Sequence, residues 1–358
     1  MTDLEARRPI ALVAFTRRGA QMATLLAERL TGARAYIEKR WAQGSRLPFR
    51  TFSLPLRPLV EELFQIYPSL VLFASVGVTV RLIAPLIKGK GSDPAVVAVD
   101  EGGRFAVCLL SGHQGRGEAL AKEVASLLGA IPVITSASGA LGVPSLELVG
   151  SQWGWRREGD EHLKAIAAAL INAQPVVFYQ EAGEKPWATA PAGIVVAPSL
   201  DEALASPLPC IIVSDREVGT GRTNKPMVVF RPRSIVAGVG CRRGALGDEI
   251  AAFIRDVLKA HGFSPLSLRC LATMEAKALD PSLQDAASLL GVPLEAVPRA
   301  TLLHFASRVS PSASERLLGL PSVSEASALA VSGAATLLGP RASNGKVTVA
   351  LARWEPQP

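Results

Sequence analysis

Short, continuous apolar runs recur along the chain, and most lead into a segment whose apolar positions repeat every three or four residues. The first run, residues 10–15 (IALVAF), is followed by Thr16, two arginines and Gly19, then by Met22, Leu25, Leu26 and Leu30, and closes at Thr31-Gly32. A run apolar on both faces predicts a buried strand, and the 3.6-residue spacing after it predicts an amphipathic helix. Residues 69–76 (SLVLFASV) repeat the strand pattern, Gly77 breaks it, and Val78, Leu82, Ile83 and Leu86 predict a second helix. Residues 95–99 and 105–110 are two more apolar strands separated by the turn-forming stretch DEGG, so they are expected to pair as a hairpin. A glycine-rich loop, residues 111–118 (SGHQGRGE), follows; then comes a helix with Leu120, Val124, Leu127 and Leu128 on one face and Gly129 at its end, and a strand IPVIT.

The pattern changes after residue 150. One Ala-rich helix (163–171) precedes short strands near 175–179, 193–196, 210–213 and 227–230, broken by Pro, Gly and charged residues. From Ser234 the longer alternation returns: strand IVAGVG, loop CRRGALG, and a helix carrying Ile250, Phe253, Ile254, Val257 and Leu258, with Asp248 and Glu249 at its positive N-terminal end. A strand at 266–272, a helix near 281–290, a helix over 323–338 and a last strand KVTVALA complete this part. The expected fold class is α/β: two α/β domains with mainly parallel sheets, residues 1–150 and 234–358, joined by a small central linker domain, residues 151–233. The C-terminal segment 234–358 is expected to fold by itself.

Composition narrows the class. At 358 residues, with 49% apolar and 19% charged positions, the chain is long enough for two or three cored units and too apolar to be disordered. No apolar stretch approaches the roughly 18 residues needed to cross a bilayer, and the run at 10–15 is too short for a signal-peptide core, so a cytoplasmic protein without membrane contact is expected. Cys108, Cys210, Cys241 and Cys270 form no CxxC, which argues against a disulfide framework or zinc module. The net charge is +7, and the first 60 residues, with eleven Lys/Arg against four acids, account for all of it. A second excess spans 216–243, where Arg216, Arg222, Lys225, Arg231, Arg233, Arg242 and Arg243 face only Glu217. Basic segments attract polyanions. Aromatics are only 5% and no nucleic-acid motif accompanies the charge, so an anionic small molecule is expected rather than nucleic acid.

Candidate chemistry sits in two strand-to-helix loops. In the first, His113 is the one histidine of four placed in such a loop, flanked by Ser111, Gly112, Gly115 and Glu118. Glycines there let a ligand approach the backbone, and imidazole titrates near neutrality. The second is Gly238-Val-Gly240-Cys241-Arg242-Arg243-Gly244. Its spacing is close to a dinucleotide fingerprint, but Arg269 and Cys270 stand where an acidic residue would hold the ribose, so it is read as an anion or carboxylate site. Cys241, placed at a helix N-terminus beside two arginines, is expected to have a lowered pKa. Ser322 and Glu325, three apart at a helix start, predict a capping box. Thr273, Glu275 and Lys277 follow a strand and are further candidates to face a site.

In these segments the chain resembles the cobalt-precorrin-5A hydrolases of anaerobic cobalamin biosynthesis. The resemblance is carried by VRLIAPLIKGKGSDPAVVAVDEGGRFAVCLLSGHQG (80–115), PVIT (132–135), GVGCRRG (238–244), LATMEAK (271–277), SVSEASAL (322–329) and KVTVALAR (346–353), in that order along nearly the whole chain. The C-terminal half is also similar to a stand-alone cobalamin-pathway protein of the aerobic route. The chain departs from the family pattern where Gly115-Arg-Gly-Glu118 replaces GGAN, where Ser136-Ala-Ser-Gly139 replaces a segment followed by an acid, and where Glu275 replaces Asp. The resemblance implies hydrolysis of cobalt-precorrin-5A to cobalt-precorrin-5B and acetaldehyde. Ring A's lactone opens, and the methylated bridge carbon leaves as the aldehyde. It implies no cofactor of the protein's own, since cobalt comes with the substrate, and no protein metal site. Neighbouring methyltransferases of the pathway are the implied protein partners.

On that basis His113 is expected to act as general base or as ligand to the substrate's cobalt, with Ser111 and nearby N–H groups as oxyanion donors and Glu118 as a further titratable group. Arg104 and residues 238, 240–244 are expected to bind substrate, Arg242 and Arg243 through its carboxylates, with the macrocycle lying between the two halves. Two other classes stay open from sequence: a non-catalytic carrier of the precorrin and a nicotinamide-dependent Rossmann enzyme.

Overall fold

A computed structural model describes residues 9–42, 49–89, 92–111, 117–219, 224–311, 319–320 and 322–356. The chain divides into two compact units, Met1–Leu148 and Val149–Pro358. All counts of elements below refer to the described residues.

The first unit runs β1 (Ile10–Ala14), α1 (Arg17–Arg29), β2 (Ala33–Glu38), β3 (Arg50–Phe52), α2 (Arg57–Ile66), β4 (Ser69–Phe73), α3 (Val76–Ile83), β5 (Ala95–Val99), β6 (Phe105–Leu110), α4 (Gly117–Leu128), β7 (Ile131–Val133) and α5 (Ala137–Leu141). Its seven strands form one sheet in the order β3-β2-β1-β4-β5-β6-β7. The first five are parallel; β6 pairs antiparallel with β5, as the hairpin reading expects, and β7 runs parallel to β6. Alternate strand residues face opposite layers. Leu12, Ala14, Val71, Phe73, Val97 and Val99 pack on α1 and α4, while Ala11, Val13, Leu70, Leu72 and Val96 pack on α2 and α3. Helices on both faces explain why these strands are apolar throughout rather than alternating.

The second unit holds two sheets. β8 (Arg156–Glu158), α6 (Leu163–Ile171), β9 (Val176–Gln180), β10 (Ile194–Val196), α7 (Leu200–Ala205), β11 (Cys210–Val213) and β12 (Met227–Arg231) build the central one, ordered β10-β9-β11-β12-β8 and parallel except at β8. β13 (Ile235–Cys241), α8 (Gly247–Ala260), β14 (Leu268–Met274), α9 (Glu275–Ala278), α10 (Pro281–Leu290), β15 (Leu294–Val297), α11 (Arg299–Leu303), α12 (Val323–Ser332), β16 (Ala342–Ser343) and β17 (Val347–Arg353) build the other. Its order is β15-β14-β13-β17-β16. A buried network ties the two sheets together. Arg353 donates to both oxygens of the fully buried Asp215 at 2.8 and 2.7 Å, and the Ser234 hydroxyl adds a third bond at 2.8 Å.

The fold is α/β, with three mixed sheets of which the first two are mostly parallel, and several sequence readings need correction. The last sheet is not mainly parallel: β17 and β16 run against β13, so two of its four pairings are antiparallel. β4 stops at Phe73, because the Ser75 hydroxyl accepts the Val78 N–H and starts α3 at Val76, which places Gly77 inside the helix. An apolar run does not mark where a buried strand yields to a buried helix. The helix expected over 323–338 ends at Ser332, where Gly333 takes a left-handed conformation (φ +70°) and donates its N–H to the Leu329 carbonyl. The elements β2, β3, α2, β8, α7 and β15 carry polar or mixed patterns and were not legible as such.

Part of the basic segment 216–243 is engaged inside the unit rather than offered to a polyanion, whereas Arg242 and Arg243 are exposed. Arg231 is fully buried against Glu158 and the carbonyls of Ser214 and Arg216; Arg216 pairs with Glu181 at 3.2 Å; and Lys225 donates to the Ala203 and Leu204 carbonyls at the end of α7. Arg222 lies outside the described residues. Among the described residues no helix is long and apolar enough to cross a membrane.

Candidate functional site

Two groups of side chains stand out, one in each unit. In the first unit the carboxyl ends of β6 and β7 meet the loop that precedes β5. Ser111 follows β6 with φ +53° and donates its hydroxyl to the Asp93 carbonyl at 2.9 Å. The Gly117 N–H returns to the Ser111 carbonyl at 3.1 Å, closing the loop between them. A side chain at Gly117 would stand 2.8 Å from the Leu110 carbonyl oxygen, so only glycine fits this turn. The buried Asp93 carboxylate accepts the N–H groups of Lys88 and Gly89 at 2.9–3.1 Å. Glu118, in the first turn of α4, accepts the Ser136 hydroxyl at 2.6 Å. Ser136, which stands where the family pattern differs, therefore binds a carboxylate that this chain carries on α4. Gly112, His113 and Gly115 lie outside the described residues.

Arg104 is not part of this group. It sits in the turn before β6, with its N–H on Asp100 at 2.8 Å and its guanidinium 3.6 Å from the same carboxylate. Six residues of strand, roughly 20 Å, separate that turn from Ser111. Because β6 runs against β5, Ser111 and Glu118 lie at the edge where β1 to β5 begin, and Arg104 lies where they end. Burial alone would raise the Asp100 carboxyl, but the N–H groups of Phe105, Arg104 and Gly102 and the Arg104 charge outweigh it and hold it below its ordinary value. Cys108, facing α4, is pushed up to about 11 by burial and then by the Glu118 charge.

The second group lines a cavity of about 360 Å³ at the carboxyl ends of β13 and β14. Four cations stand in its wall: Arg242, Lys277, Arg341 and Lys346. The Gly240-Cys241 backbone and the hydroxyl residues Thr273, Ser322, Ser324 and Thr348 complete the part that matters here. Each of three cations has an acid behind it, outside the lining: Lys277 with Asp280 at 3.1 Å, Lys346 with Glu249 at 3.3 Å, and Arg341 with Glu325 at 3.9 Å. Asp280, which burial would raise, is held below its ordinary value by Lys277 and the Ser282 N–H. Such a wall is suited to ionised carboxylates, which take guanidinium, ammonium and hydroxyl donors together.

Several expected residues meet here and others do not. Gly240, Cys241 and Arg242 line the cavity; Arg243 and Gly244 (φ +85°) sit on the exposed turn toward α8 and do not. Gly238 is occupied by packing: a Cβ on it would stand 1.8 Å from the Ser324 carbonyl oxygen, so it is the contact that lets α12 rest on β13. The glycine run is thus used between helix and strand, and the dinucleotide reading loses its main support. Cys241 ends β13, six residues before α8 begins, and burial raises its thiol despite Lys277, contrary to the expected lowering. The capping box at Ser322 does not form. Glu325, 3% exposed, accepts the Ser310 N–H at 2.9 Å and faces Arg341, which donates to the Ser322 hydroxyl at 2.9 Å. Thr273 and Lys277 do face the site, whereas Glu275 turns toward the Arg299 N–H. Arg341, Lys346 and Thr348 were missed as site residues; only the antiparallel return of β17 beside β13 brings them there.

Three family regions match in chain order: the cobalamin synthesis G N-terminal region over residues 58–139, the cobalamin biosynthesis central region over 144–232, and the cobalamin synthesis G C-terminus over 235–352. The chain is 32% identical over 355 residues to a cobalt-precorrin-5A hydrolase of Priestia megaterium, covering 97% of this chain and 95% of that protein. It is 30% identical over 298 residues to a cobalt-precorrin-5A hydrolase of Salmonella typhimurium, covering 83% and 84%. A shorter match, 34% identical over 76 residues, covers 21% of this chain and 49% of the protein CobE of a Sinorhizobium species. With similarity at this level over nearly its whole length, the chain belongs to the cobalamin synthesis G family, that of the cobalt-precorrin-5A hydrolases.

Proposed function

We propose that this protein is a cobalt-precorrin-5A hydrolase, which uses water to open the ring A lactone and releases acetaldehyde to give cobalt-precorrin-5B. The observation that carries the reading is the wall of four cations and several hydroxyls around the second-unit cavity, in a chain 32% identical over 97% of its length to such a hydrolase. A tetrapyrrole with several ionised carboxylate arms needs such a wall to hold it. Cobalt arrives with the substrate, so the protein's task is to bind, orient and move protons.

The chemistry asks for a base that takes a proton from water or from the hydroxyl freed by lactone opening, and for donors to the oxyanion that develops. His113 is the proposed base or cobalt ligand, on the strength of its loop in the sequence. The Ser111 hydroxyl donates to Asp93, so its proposed part begins with anchoring that loop and extends to the oxyanion only if it exchanges partners. Glu118, with Ser136 on it, is the proposed proton relay. Arg242 is proposed to bind a carboxylate arm in the cavity, and Arg243 to contact one from the turn beside it. Three domains, with limits near 150 and 233, find support in the three family regions. A cytoplasmic site of action and exchange of intermediates with neighbouring methyltransferases complete the proposal.

Incubation of the purified full chain with cobalt-precorrin-5A, with acetaldehyde read by a coupled assay, tests it. Equimolar acetaldehyde without added nicotinamide is expected. Binding of the precorrin without any acetaldehyde would instead make the protein a carrier, and release that required a nicotinamide would restore the dehydrogenase class.

A further inference from the structure

Three arginines at the seam between the second unit's two sheets stand without a counter-charge. Other cations of the seam are paired: Arg157 with Asp160, Arg231 with Glu158 and Arg353 with Asp215. Arg156, Arg233 and Arg269 meet no carboxylate at ion-pair distance among the described residues. Arg233 follows β12 and donates its Nε–H to the Gly154 carbonyl at 3.1 Å. Arg269 is the extra residue of a bulge in β14, since Ile235 and Val236 pair with Leu268 and Cys270. A bulge re-aims the side chain it carries. Here the Arg269 guanidinium carbon lies 3.8 Å from the centre of the Trp354 ring, and Nη1 donates to the Arg233 carbonyl at 3.2 Å. Arg156 opens β8, opposite Arg231 in the antiparallel pair and two residues after Gly154. Arg156 is exposed and the other two are half-buried. Burial, and then the charges of Arg156 and Arg269, hold the Arg233 guanidinium below its ordinary value. Like charges gathered without a counter-ion oppose one another, and an anion bound among them removes that penalty.

We propose that Arg156, Arg233 and Arg269 form a binding site for a small multivalent phosphate, a diphosphate or an ester carrying one, which joins the central sheet to the last. Three guanidinium forks offer paired N–H donors, and a diphosphate brings acceptor oxygens and several negative charges in one compact group, where a carboxylate brings a single charge. The cavity is a separate place. Its wall stands at the carboxyl ends of β13 and β14, whereas Arg233 precedes β13 and Arg269 is the second residue of β14. The seven residues of β13 span roughly 20 Å, so an anion at the seam is not the group that Arg242 faces. The site does not depend on the hydrolase reading.

Calorimetric titration of the full chain with inorganic pyrophosphate at fixed ionic strength tests this, with citrate as the carboxylate comparison. Pyrophosphate is expected to bind and to raise the thermal midpoint of the parent, because a ligand of the folded state stabilises it. Arg156→Gln, Arg233→Gln and Arg269→Gln should each weaken binding at least about fivefold, as loss of a charge-assisted contact does, while Arg242→Gln leaves it within about twofold. Citrate should bind at least about tenfold more weakly than pyrophosphate. Arg156→Gln changes an exposed side chain and removes one repelling charge, so the midpoint of that free variant should equal or exceed the parent's. A parent that binds no pyrophosphate would overturn the proposal, as would Arg156→Gln and Arg233→Gln variants that bind it like the parent. So would a lowered midpoint in free Arg156→Gln, citrate binding as tight as that of pyrophosphate, or a loss confined to Arg242→Gln, which would put the anion in the cavity.

Discussion

Individual residues divide here between those that hold charge for a ligand and those whose charge the fold consumes. Arg231 is a structural cation, buried against Glu158, whereas Arg242 stands in the cavity wall. Replacing Arg242 with Ala is accordingly expected to raise KM about tenfold or more, as loss of one charge-assisted contact does, with little change in kcat. His113→Ala should do the reverse, lowering kcat by about 100-fold or more while KM changes little. Steady-state kinetics of the two variants, followed by acetaldehyde release, check both. The thiols make a separate expectation. Burial raises Cys108 and Cys210 to about 11 and Cys270 to about 12, from an ordinary 9.0. None is then a thiolate near neutrality, and native-state alkylation at pH 7.5 should be slow until the chain is unfolded. The folded state holds these protons more tightly than the unfolded one. Their contribution to stability is thus complete below pH 9 and is lost as pH rises toward 11 and 12. Urea midpoints measured from pH 7 to 10.5 should fall above pH 9.

At the scale of elements, one helix organises the cavity. α12 carries Ser322, Ser324 and Glu325, and it comes close enough to β13 to use them because Gly238 has no side chain. A Gly238→Ala change would place a methyl 1.8 Å from the Ser324 carbonyl oxygen and 2.8 Å from the Ala328 nitrogen, so helix and strand must part. Overpacking of this kind costs about 2–4 kcal/mol, and it should weaken binding of a carboxylate ligand as well. Chemical denaturation together with ligand titration would show both effects; full stability with wild-type binding would contradict the assignment. The first unit makes a related point. The hairpin β5–β6 is legible from its two apolar runs and the turn between them, and its antiparallel pairing carries the Ser111 loop to the opposite sheet edge from Arg104. Likewise Ser322 and Glu325 have capping-box spacing, but Arg341 and the Ser310 N–H offer the pair better partners from elsewhere in the fold.

For the molecule as a whole, the link between the central and C-terminal sheets decides what can be separated. Asp215 follows β11, Ser234 and Arg353 belong to the last sheet, and the three meet in one buried cluster. A fragment of residues 149–358 keeps it, while one of residues 234–358 loses Asp215 and leaves Arg353 without its carboxylate. Breaking a buried pair on one side costs about 3–5 kcal/mol, and somewhat less where the freed side chain gains water. The longer fragment is expected to unfold cooperatively at a clearly higher temperature than the shorter, and neither to release acetaldehyde alone; thermal melts and the acetaldehyde assay on both check this. An equal midpoint for the shorter fragment would restore residues 234–358 as a self-sufficient domain.

The sequence by itself determined most of the local events: which apolar runs hold strands, where 3.6-residue spacing becomes helix, where Gly129 ends a helix, and which two loops carry the polar groups. Those depend on nearest neighbours and on burial of one face, so a single chain displays them. It also carried enough ordered motifs to indicate the family. The tertiary structure alone decided which polar groups meet. Arg341 and Lys346 join Arg242 about a hundred residues away in the chain, because β17 returns antiparallel beside β13; Arg353 meets Asp215 across two sheets; and Gly238 serves α12 rather than a ligand. Long-range pairing is set by how whole layers bury their apolar faces against one another, and no local pattern of hydrophobic and polar residues records which distant partner that packing will supply.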